Sequence, residues 1–278
     1  MSKKAVAVVE DEPNAVATTH DYGSYGGDGF EDVGANELSI PFISILQKSS
    51  PQVEDGVLPG AEAGAFFNTV TQEITAGQDG FVFLPCHRDE QWVEWVPRVK
   101  GGGFVDTFAP NSELVQELIA KNDGKRIPPK GSDGKRIPFM TPEKNELVET
   151  YYVYGLLLDK DGVTACGFAV LSFTSTKITK YKNWITAMKM QAGNPPIFAN
   201  RAKITSVKES RPSGSSFNYS IAPLRKSWAE SLINPKTEKG LMDQALAFRE
   251  MILSGQAKAD LSKQDQVDAA DVGEETPF

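Results

Sequence analysis

One stretch of the chain interleaves lysines with aromatic residues, a composition suited to binding a single nucleic-acid strand. Residues 174–184 read Thr-Ser-Thr-Lys-Ile-Thr-Lys-Tyr-Lys-Asn-Trp, which brings three lysines next to Tyr181 and Trp184. Cations pair with the phosphates of a single strand and flat rings stack on its bases, each stacked base contributing about 1–3 kcal/mol. A packing role stays open for Trp184, because it shares a helical face with Ile185 and Met188.

Further cations are concentrated in two glycine-containing loops. Residues 98–103, Arg-Val-Lys-Gly-Gly-Gly, form one of them. The hexapeptide Asp-Gly-Lys-Arg-Ile-Pro occurs twice, at 123–128 and 133–138, within a basic loop over residues 121–140. Asp-Gly pairs favour turns, so the Lys-Arg pairs after them are expected at the surface, either as a phosphate clamp or as a plain solvated loop.

The candidate binding residues follow from these segments and from aromatic residues in the predicted strands. The candidate phosphate-binding residues are Arg98, Lys100, Lys125, Arg126, Lys135, Arg136, Lys177, Lys180, Lys182, Arg201 and Lys203. The candidate stacking rings are Trp92, Tyr151, Tyr181 and Phe217. Aromatic packing inside the fold is the alternative role for the rings.

A negative net charge argues against a polyanionic ligand, but the distribution of charge along the chain removes that objection. The formal net charge of the chain is −8. Residues 1–40 carry two Lys and eight Asp/Glu, and residues 257–278 carry two Lys and six Asp/Glu. Within the remaining body, residues 177–211 hold eight Lys/Arg and one acidic residue, a net charge of +7. Acidic ends therefore flank a body with a concentrated basic segment.

Familiar catalytic and metal-binding patterns do not occur in the sequence. Neither the phosphate-binding Gly-x-x-x-x-Gly-Lys-Ser/Thr motif nor His-Glu-x-x-His occurs, and the only histidines are His20 and His87. Cys86 and Cys166 are too few for a four-ligand zinc site and are expected to be reduced. We therefore expect no cofactor, no metal and no catalysis. An unrecognised nuclease is an alternative that metal-dependent cleavage would reveal.

Short apolar runs separated by turn residues dominate the body of the chain. The predicted strands cover residues 65–70, 80–86, 91–96, 151–158, 163–174, 197–207 and 217–221, and the predicted helices cover residues 110–122, 181–191, 224–234 and 238–253. The strands come in hairpins rather than alternating with helices, which predicts a mainly β fold with appended helices (α+β), built on a small OB-like β-barrel. Trp92 and Trp95 point to opposite faces of one strand, so one is expected in the core and the other exposed.

Composition divides the chain into three parts. Residues 1–36 are expected to be a disordered acidic leader, residues 37–256 one folded domain, and residues 257–278 a disordered acidic tail. No run of 18 or more apolar residues occurs, so no membrane span is expected. The apolar run at residues 5–9 is too short for an export signal, which predicts a cytoplasmic protein.

The last five residues, Glu274-Glu-Thr-Pro-Phe278, resemble the C-terminal tip of bacterial single-stranded DNA-binding proteins, which end in acidic residues and Ile-Pro-Phe. Thr276 replaces that isoleucine here. The hairpin predicted over 151–174 and the basic segment after it resemble the larger phage-encoded single-stranded DNA-binding proteins. Those proteins have one OB-fold, helical insertions and an acidic tail with an aromatic end.

This resemblance implies a non-catalytic protein of phage replication and recombination that coats single-stranded DNA in the infected bacterial cell. Its tail would dock polymerase, helicase-primase or nuclease partners and would compete with DNA for the basic segment. The implied docking residues are Asp271, Glu274, Glu275, Pro277 and Phe278.

Two alternatives remain beside this interpretation, and a homo-oligomer is left open. A strand-annealing recombination protein would share the substrate but assemble into rings or filaments. A phage structural or adaptor protein would use the same fold for protein contacts only, and its DNA affinity would be absent.

Overall fold

Strands make up most of the regular structure in the part of the chain that the computed structural model describes, residues 39–56, 58–132, 136–211 and 214–264. The strands are β1 (Ser39–Ile40), β2 (Ile43–Ile45), β3 (Phe66–Asn68), β4 (Ile74–Thr75), β5 (Phe81–Trp95), β6 (Phe104–Phe108), β7 (Phe139–Met140), β8 (Glu146–Leu158), β9 (Ala165–Thr174), β10 (Ala202–Arg211), β11 (Gly214–Pro223) and β12 (Lys258–Ala259). The helices are α1 (Pro51–Glu54), α2 (Glu113–Lys121), α3 (Lys177–Lys189) and α4 (Lys239–Leu253).

The central feature of the fold is the antiparallel pair of β5 and β8, which runs from Val82 opposite Leu158 to Trp95 opposite Glu146. The main sheet has the order β11-β10-β5-β8-β7, with β6 added to β5 and β9 added to β8. The predicted hairpin is confirmed as β8 and β9. The mainly β architecture with helices is confirmed as well. The predicted closure into a barrel is not seen, because the outer strands β11 and β7 do not pair with each other among the described residues.

The two strands predicted at 80–86 and 91–96 are one continuous strand, β5, with a bulge in its middle. Pro85 has no amide hydrogen to donate to the ladder. The register shifts between Pro85 and His87, which leaves Cys86 as the extra residue. Gly155 lies opposite Pro85, and a Cβ atom there would collide with the Leu84 carbonyl oxygen. The bulge therefore depends on a proline in one strand and a glycine in the other.

Both faces of the β5–β8 pair are covered by other elements. On one face Tyr152 packs in a core cluster with Phe248 of α4, and on the other Tyr151 packs in a cluster with Trp184 of α3. Trp92 and Trp95 do point to opposite faces, but the prediction that one of them is exposed is wrong. They are 1% and 7% exposed, because each face is covered at this end of the sheet too.

Three of the four predicted helices are confirmed, and the helix predicted at 224–234 is wrong. The confirmed helices are α2, α3 and α4, of which α3 begins at Lys177 rather than Tyr181. At 224–234 the backbone makes only turn-like hydrogen bonds within the segment, such as that from the Ser231 amide to the Ser227 carbonyl, and it also bonds to the segment at 199–201. The Arg201 amide donates to the Ser231 carbonyl, and the Ile233 amide donates to the Ala199 carbonyl. Pairing across the chain has replaced a helix that the apolar spacing favoured.

The folded body extends beyond the boundary predicted at residue 256. β12 pairs in parallel with β1, and Ala257 is 4% exposed. Gln264 is also buried, and its side chain accepts a 2.8 Å hydrogen bond from the Tyr152 hydroxyl. Residues 257–264 therefore belong to the domain rather than to the tail. The predicted leader lies outside the described residues.

A buried arginine holds the 224–234 segment in place. Arg201 is 5% exposed, and its guanidinium donates to the carbonyl oxygens of Gly162 at 2.9 Å, Ser231 at 3.1 Å and Leu232 at 2.9 Å. It also forms an ion pair with Glu238 at 2.6 Å. These contacts occupy the whole guanidinium, so the predicted role of Arg201 in binding phosphate is wrong.

The carboxyl group of Glu238 is stabilised in its ionised form by this arrangement. Its partial burial opposes ionisation, but hydrogen bonds from the Asn234 amide and the Arg201 guanidinium outweigh that effect. The pKa of Glu238 therefore lies below its ordinary value of 4.5. Breaking this pair would leave a buried cation without its counter-charge.

Replacing Gly155 with Ala is expected to lower the free energy of unfolding by about 1–3 kcal/mol, because the new methyl group forces β5 and β8 apart at the bulge. Urea denaturation measures the change. Gly167→Ala is the matched control, since a Cβ atom at Gly167 in β9 would meet nothing within 4 Å. Equal stability of the two variants would contradict the proposed constraint.

Replacing Glu238 with Gln is expected to lower the free energy of unfolding at pH 7 by about 1.5–3 kcal/mol, the usual worth of a hydrogen bond to a charged group. A carboxyl whose folded-state pKa is lowered stabilises the fold above its unfolded pKa and loses that contribution as the pH falls through the folded pKa. Denaturation curves of variant and wild type should therefore converge in acid, below pH 4.5.

The exposed pair of Glu250 and Arg249 supplies the control for this experiment. The Glu250 side chain is 68% exposed, so Glu250→Gln is expected to have little effect at any pH. A stability loss in Glu238→Gln that stayed constant from pH 7 into acid would contradict the assignment.

Candidate nucleic-acid interface

Helix α3 is the most cationic element of the described structure that also lies next to aromatic rings. Its sequence contains four lysines and no carboxylate. One side of the helix packs into the core through Tyr181, Trp184 and Met188, which confirms the packing role that the sequence left open for Trp184. The opposite side is exposed and carries Lys182 and Lys189. Neither of these two lysines has a carboxylate partner among the described residues.

The two tyrosines predicted to stack on bases stack on each other instead. The rings of Tyr151 and Tyr181 have centroids 4.5 Å apart and planes inclined by 23°. They are only 6% and 4% exposed. Lys182 places its Nζ 5.9 Å from the centre of the Tyr151 ring, and Arg88 donates a long 3.5 Å hydrogen bond to the Tyr181 hydroxyl. A base would have to displace one ring to stack there.

The hydroxyl of Tyr151 is held in its neutral form by its surroundings. Burial has the largest effect, and the hydrogen bond that the hydroxyl donates to the Glu149 carboxylate at 2.7 Å adds to it. Both raise the pKa of Tyr151 well above its ordinary value. The group is therefore a fixed hydrogen-bond donor at every physiological pH.

The two copies of the repeated hexapeptide have different roles. Arg126 of the first copy forms ion pairs with Glu90 and with Glu149, the latter at 2.9 Å, and lies 5.7 Å from the centre of the Trp92 ring. Burial opposes its charge, but the two carboxylates more than compensate and hold the pKa of Arg126 above its ordinary value. The arginine thus fastens the 121–140 loop to the sheet.

Arg136 of the second copy fastens the loop to itself. Its guanidinium donates a 2.7 Å hydrogen bond to the carbonyl oxygen of Pro128, at the end of the first copy. Lys125 remains at the surface with a side chain that is 71% exposed and 3.8 Å from the carboxylate of Asp123. Lys135 lies outside the described residues. The loop is therefore anchored to the sheet and to itself. Among the described residues of the predicted phosphate clamp, Lys125 is the one that stays exposed.

Burial overturns two further predicted contacts. Lys177 is 2% exposed and lies 5.9 Å from the centre of the Tyr219 ring, so it cannot reach a phosphate on the surface. Trp92 is 1% exposed beneath α2 and packs edge-on against Phe139, so it cannot stack on a base. The sequence suggested both residues through composition and spacing, and neither property shows how deeply a side chain is buried.

The remaining predicted cations lie at or near the surface. Lys180 forms a 2.7 Å ion pair with Glu209 of β10, and its side chain is 34% exposed. Arg98 and Lys100 are exposed in the turn after β5, and Lys203 is half-buried on β10. The tail residues from Asp271 to Phe278 lie outside the described residues.

Phe217 is the predicted ring that keeps some accessible surface. It is half-buried in β11, where its backbone exchanges two 2.9 Å hydrogen bonds with the side chain of Gln47. A Cβ atom on Gly64 would overlap the ring, so the glycine makes room for it.

Two exposed cations on or next to α3 were not among the binding residues that the sequence predicted. Arg88 is exposed on β5 and reaches α3 at Tyr181, because the bulge after Pro85 turns it to that face of the sheet. Lys189 follows Lys182 by seven residues and therefore lies on the same side of the helix. Helical spacing alone could have identified Lys189 from the sequence. We call the set of Arg88, Lys180, Lys182 and Lys189 the α3 surface.

The described residues also bear on metal binding, membrane spanning and disulfide formation. No group of three or more His, Cys, Asp or Glu side chains there is arranged to hold a metal ion. Within the same residues, no helix has both the length and the apolar character needed to cross a membrane. Cys86 and Cys166 are not bonded to each other, and burial raises the pKa of the Cys86 thiol to about 12.

Comparison with known proteins identifies the family. The family model described as Pam3 phage gp34-like protein matches residues 9–258, a range that includes the central sheet and α3. No match was found among curated proteins or among solved structures. Because the family match spans most of the 278 residues, the chain belongs to the Pam3 phage gp34-like family of bacteriophage proteins.

Proposed function

We propose that this phage protein binds single-stranded DNA without catalysing a reaction and acts in phage DNA replication and recombination in the host cytoplasm. The observation that carries the proposal is the α3 surface, in which exposed Lys182 and Lys189 and half-buried Lys180 lie on a helix that has no carboxylate of its own, with exposed Arg88 of β5 beside it. Such a surface binds phosphates in any sequence, because the attraction depends on charge alone.

The carboxylates next to this surface are already paired with cations. Glu209 is bound to Lys180, and Glu90 and Glu149 are bound to Arg126. Their repulsion of an approaching phosphate is therefore reduced, and the phosphate would compete with Glu209 for Lys180. Both side chains of the Lys180–Glu209 pair are partly exposed, at 34% and 23%, so a phosphate can reach Lys180 from solvent.

Stacking contributes less to this mode of binding than the sequence predicted. Trp92, Tyr151 and Tyr181 are buried, and Phe217 is half-buried. Electrostatic contacts therefore supply most of the affinity, which implies weak sequence preference and a steep dependence on salt. The proposed mode uses an open sheet with a cationic helix, and it does not require the OB-like barrel that the sequence resemblance implied.

The acidic tail has two roles in this proposal. Asp271, Glu274 and Glu275 would compete with DNA for the α3 surface, and Pro277 with Phe278 would anchor a replication or recombination partner. The folded body ends no earlier than Gln264, so the tail available for either role is residues 265–278.

Replacing Lys182 and Lys189 together with Ala is expected to weaken binding of a fluorescent oligothymidine by roughly tenfold at low salt, because two phosphate contacts are lost. The slope of log K against log salt should become shallower by about 1.4, the value for two contacts on a single strand. Fluorescence anisotropy over a series of salt concentrations measures both quantities.

Lys239 and Lys258 provide the matched control. Both are exposed, and they lie on α4 and β12, which pack on the face of the sheet opposite to α3. Their double Ala variant removes the same charge and should bind like the wild type. Equal loss in the two double variants would contradict the α3 surface, and no salt-dependent binding by the wild type would favour the adaptor function instead.

Ending the chain at Gln264 is expected to tighten oligonucleotide binding at low salt, since the competing carboxylates are gone while the buried Gln264 is kept. The difference from the full chain should shrink as salt increases. A chain lacking only Phe278 is the control, because it retains the acidic residues and should bind DNA like the full chain. Unchanged or weaker binding by the chain ending at Gln264 would contradict competition by the tail.

A further inference from the structure

The turn that joins β5 to β6 presents an apolar side chain almost completely to solvent. Val99 is 95% exposed, the highest value among the large apolar residues that the structure describes. Its neighbours Arg98 and Lys100 are also exposed. The tip of this hairpin therefore consists of one β-branched side chain with a cation on each side, and residues 97–103 contain no carboxylate.

The turn holds Val99 in a defined position. The Lys100 amide donates to the Pro97 carbonyl at 2.8 Å, and the Gly101 amide donates to the Arg98 carbonyl at 2.9 Å. Gly101, Gly102 and Gly103 then return the chain through left-handed conformations, with φ values of 111°, 70° and 124°. A non-glycine residue at these positions would be strained, so the glycines are needed for this shape.

Two further contacts brace the tip against the rest of the sheet. The Nζ of Lys100 donates a 3.0 Å hydrogen bond to the carbonyl oxygen of Lys144, in the turn between β7 and β8. At the base of the hairpin the rings of Trp95 and Phe104 pack edge-on with centroids 5.9 Å apart. The side chain of Val99 is stiff at χ1, so little conformational entropy remains to be lost when it makes a contact.

This arrangement fits a wedge that enters a stack of bases. Apolar side chains inserted between base steps unstack them, and flanking cations hold the adjacent phosphates. Valine forms no hydrogen bonds, so such a wedge would read no sequence. Membrane insertion is less suited to the tip, because burying one valine yields only about 1.5–3 kcal/mol.

We propose that Val99 is a wedge that opens the end of a DNA duplex where it meets a single strand, with Arg98 and Lys100 on the flanking phosphates. This activity rests on the proposed binding of single-stranded DNA and adds to it. The α3 surface would hold the single strand, and the hairpin tip would unstack the first base pair of the adjoining duplex.

The test uses the full chain and a short duplex with one single-stranded arm, labelled with a fluorophore and a quencher at the junction. Val99→Ser is expected to open the junction about tenfold more slowly than the wild type, while its affinity for an oligothymidine is unchanged. Val99→Ile should open the junction like the wild type, because it keeps a β-branched apolar tip.

Val163→Ser is the matched control, since Val163 is a second exposed valine, at 51%, in the turn after β8. It should open the junction at the wild-type rate. Normal opening by Val99→Ser, or an equal loss of opening and of oligothymidine binding, would overturn the wedge while leaving the proposed function intact. Absence of oligothymidine binding by the wild type would overturn both. Binding of the wild type to anionic phosphatidylserine vesicles that Val99→Ser abolishes, with opening unaffected, would assign the tip to lipid and overturn the wedge.

Discussion

The antiparallel ladder between β5 and β8 is the constraint on which the rest of the structure depends. Each strand pairs with a different neighbour at each end, so the sheet extends outward from this pair in both directions. Core clusters cover both faces, and large aromatic side chains must therefore be accommodated on both. The bulge at Pro85 and the glycine at 155 allow these strands to stay paired along their length.

Covering both faces of this ladder explains why several charged and aromatic residues serve the fold rather than a ligand. Arg201 joins three backbone carbonyls and Glu238, and Arg126 joins Glu90 and Glu149. Such contacts fasten irregular segments to the sheet, and they do not require these segments to bury additional apolar side chains. Other cations stay exposed, among them those on α3 and at the β5–β6 turn, the two places where the proposed binding and opening of DNA would occur.

Local patterns predicted elements wherever the neighbouring chain did not compete for the backbone. The apolar spacing of α2 and α4 and the apolar runs of the β8–β9 hairpin predicted correct elements. The segment at 224–234 has equally good helical spacing, yet its backbone is recruited by Ala199 and Arg201. The prediction divided β5 between residues 86 and 91, because no local rule shows that a glycine seventy residues after Pro85 makes room for a bulge in a continuous strand.

The sequence by itself determined the segregation of charge, the apolar periodicities and the lysine-rich segment 177–189 that contains no carboxylate. These are properties of composition and spacing, and they hold in any fold that the chain adopts. Only the tertiary structure decided how deeply each side chain lies. It buried Trp92, Tyr151 and Lys177, brought Arg88 to α3 and left Val99 exposed. Depth depends on what covers each face of the sheet, and the covering elements come from distant parts of the chain.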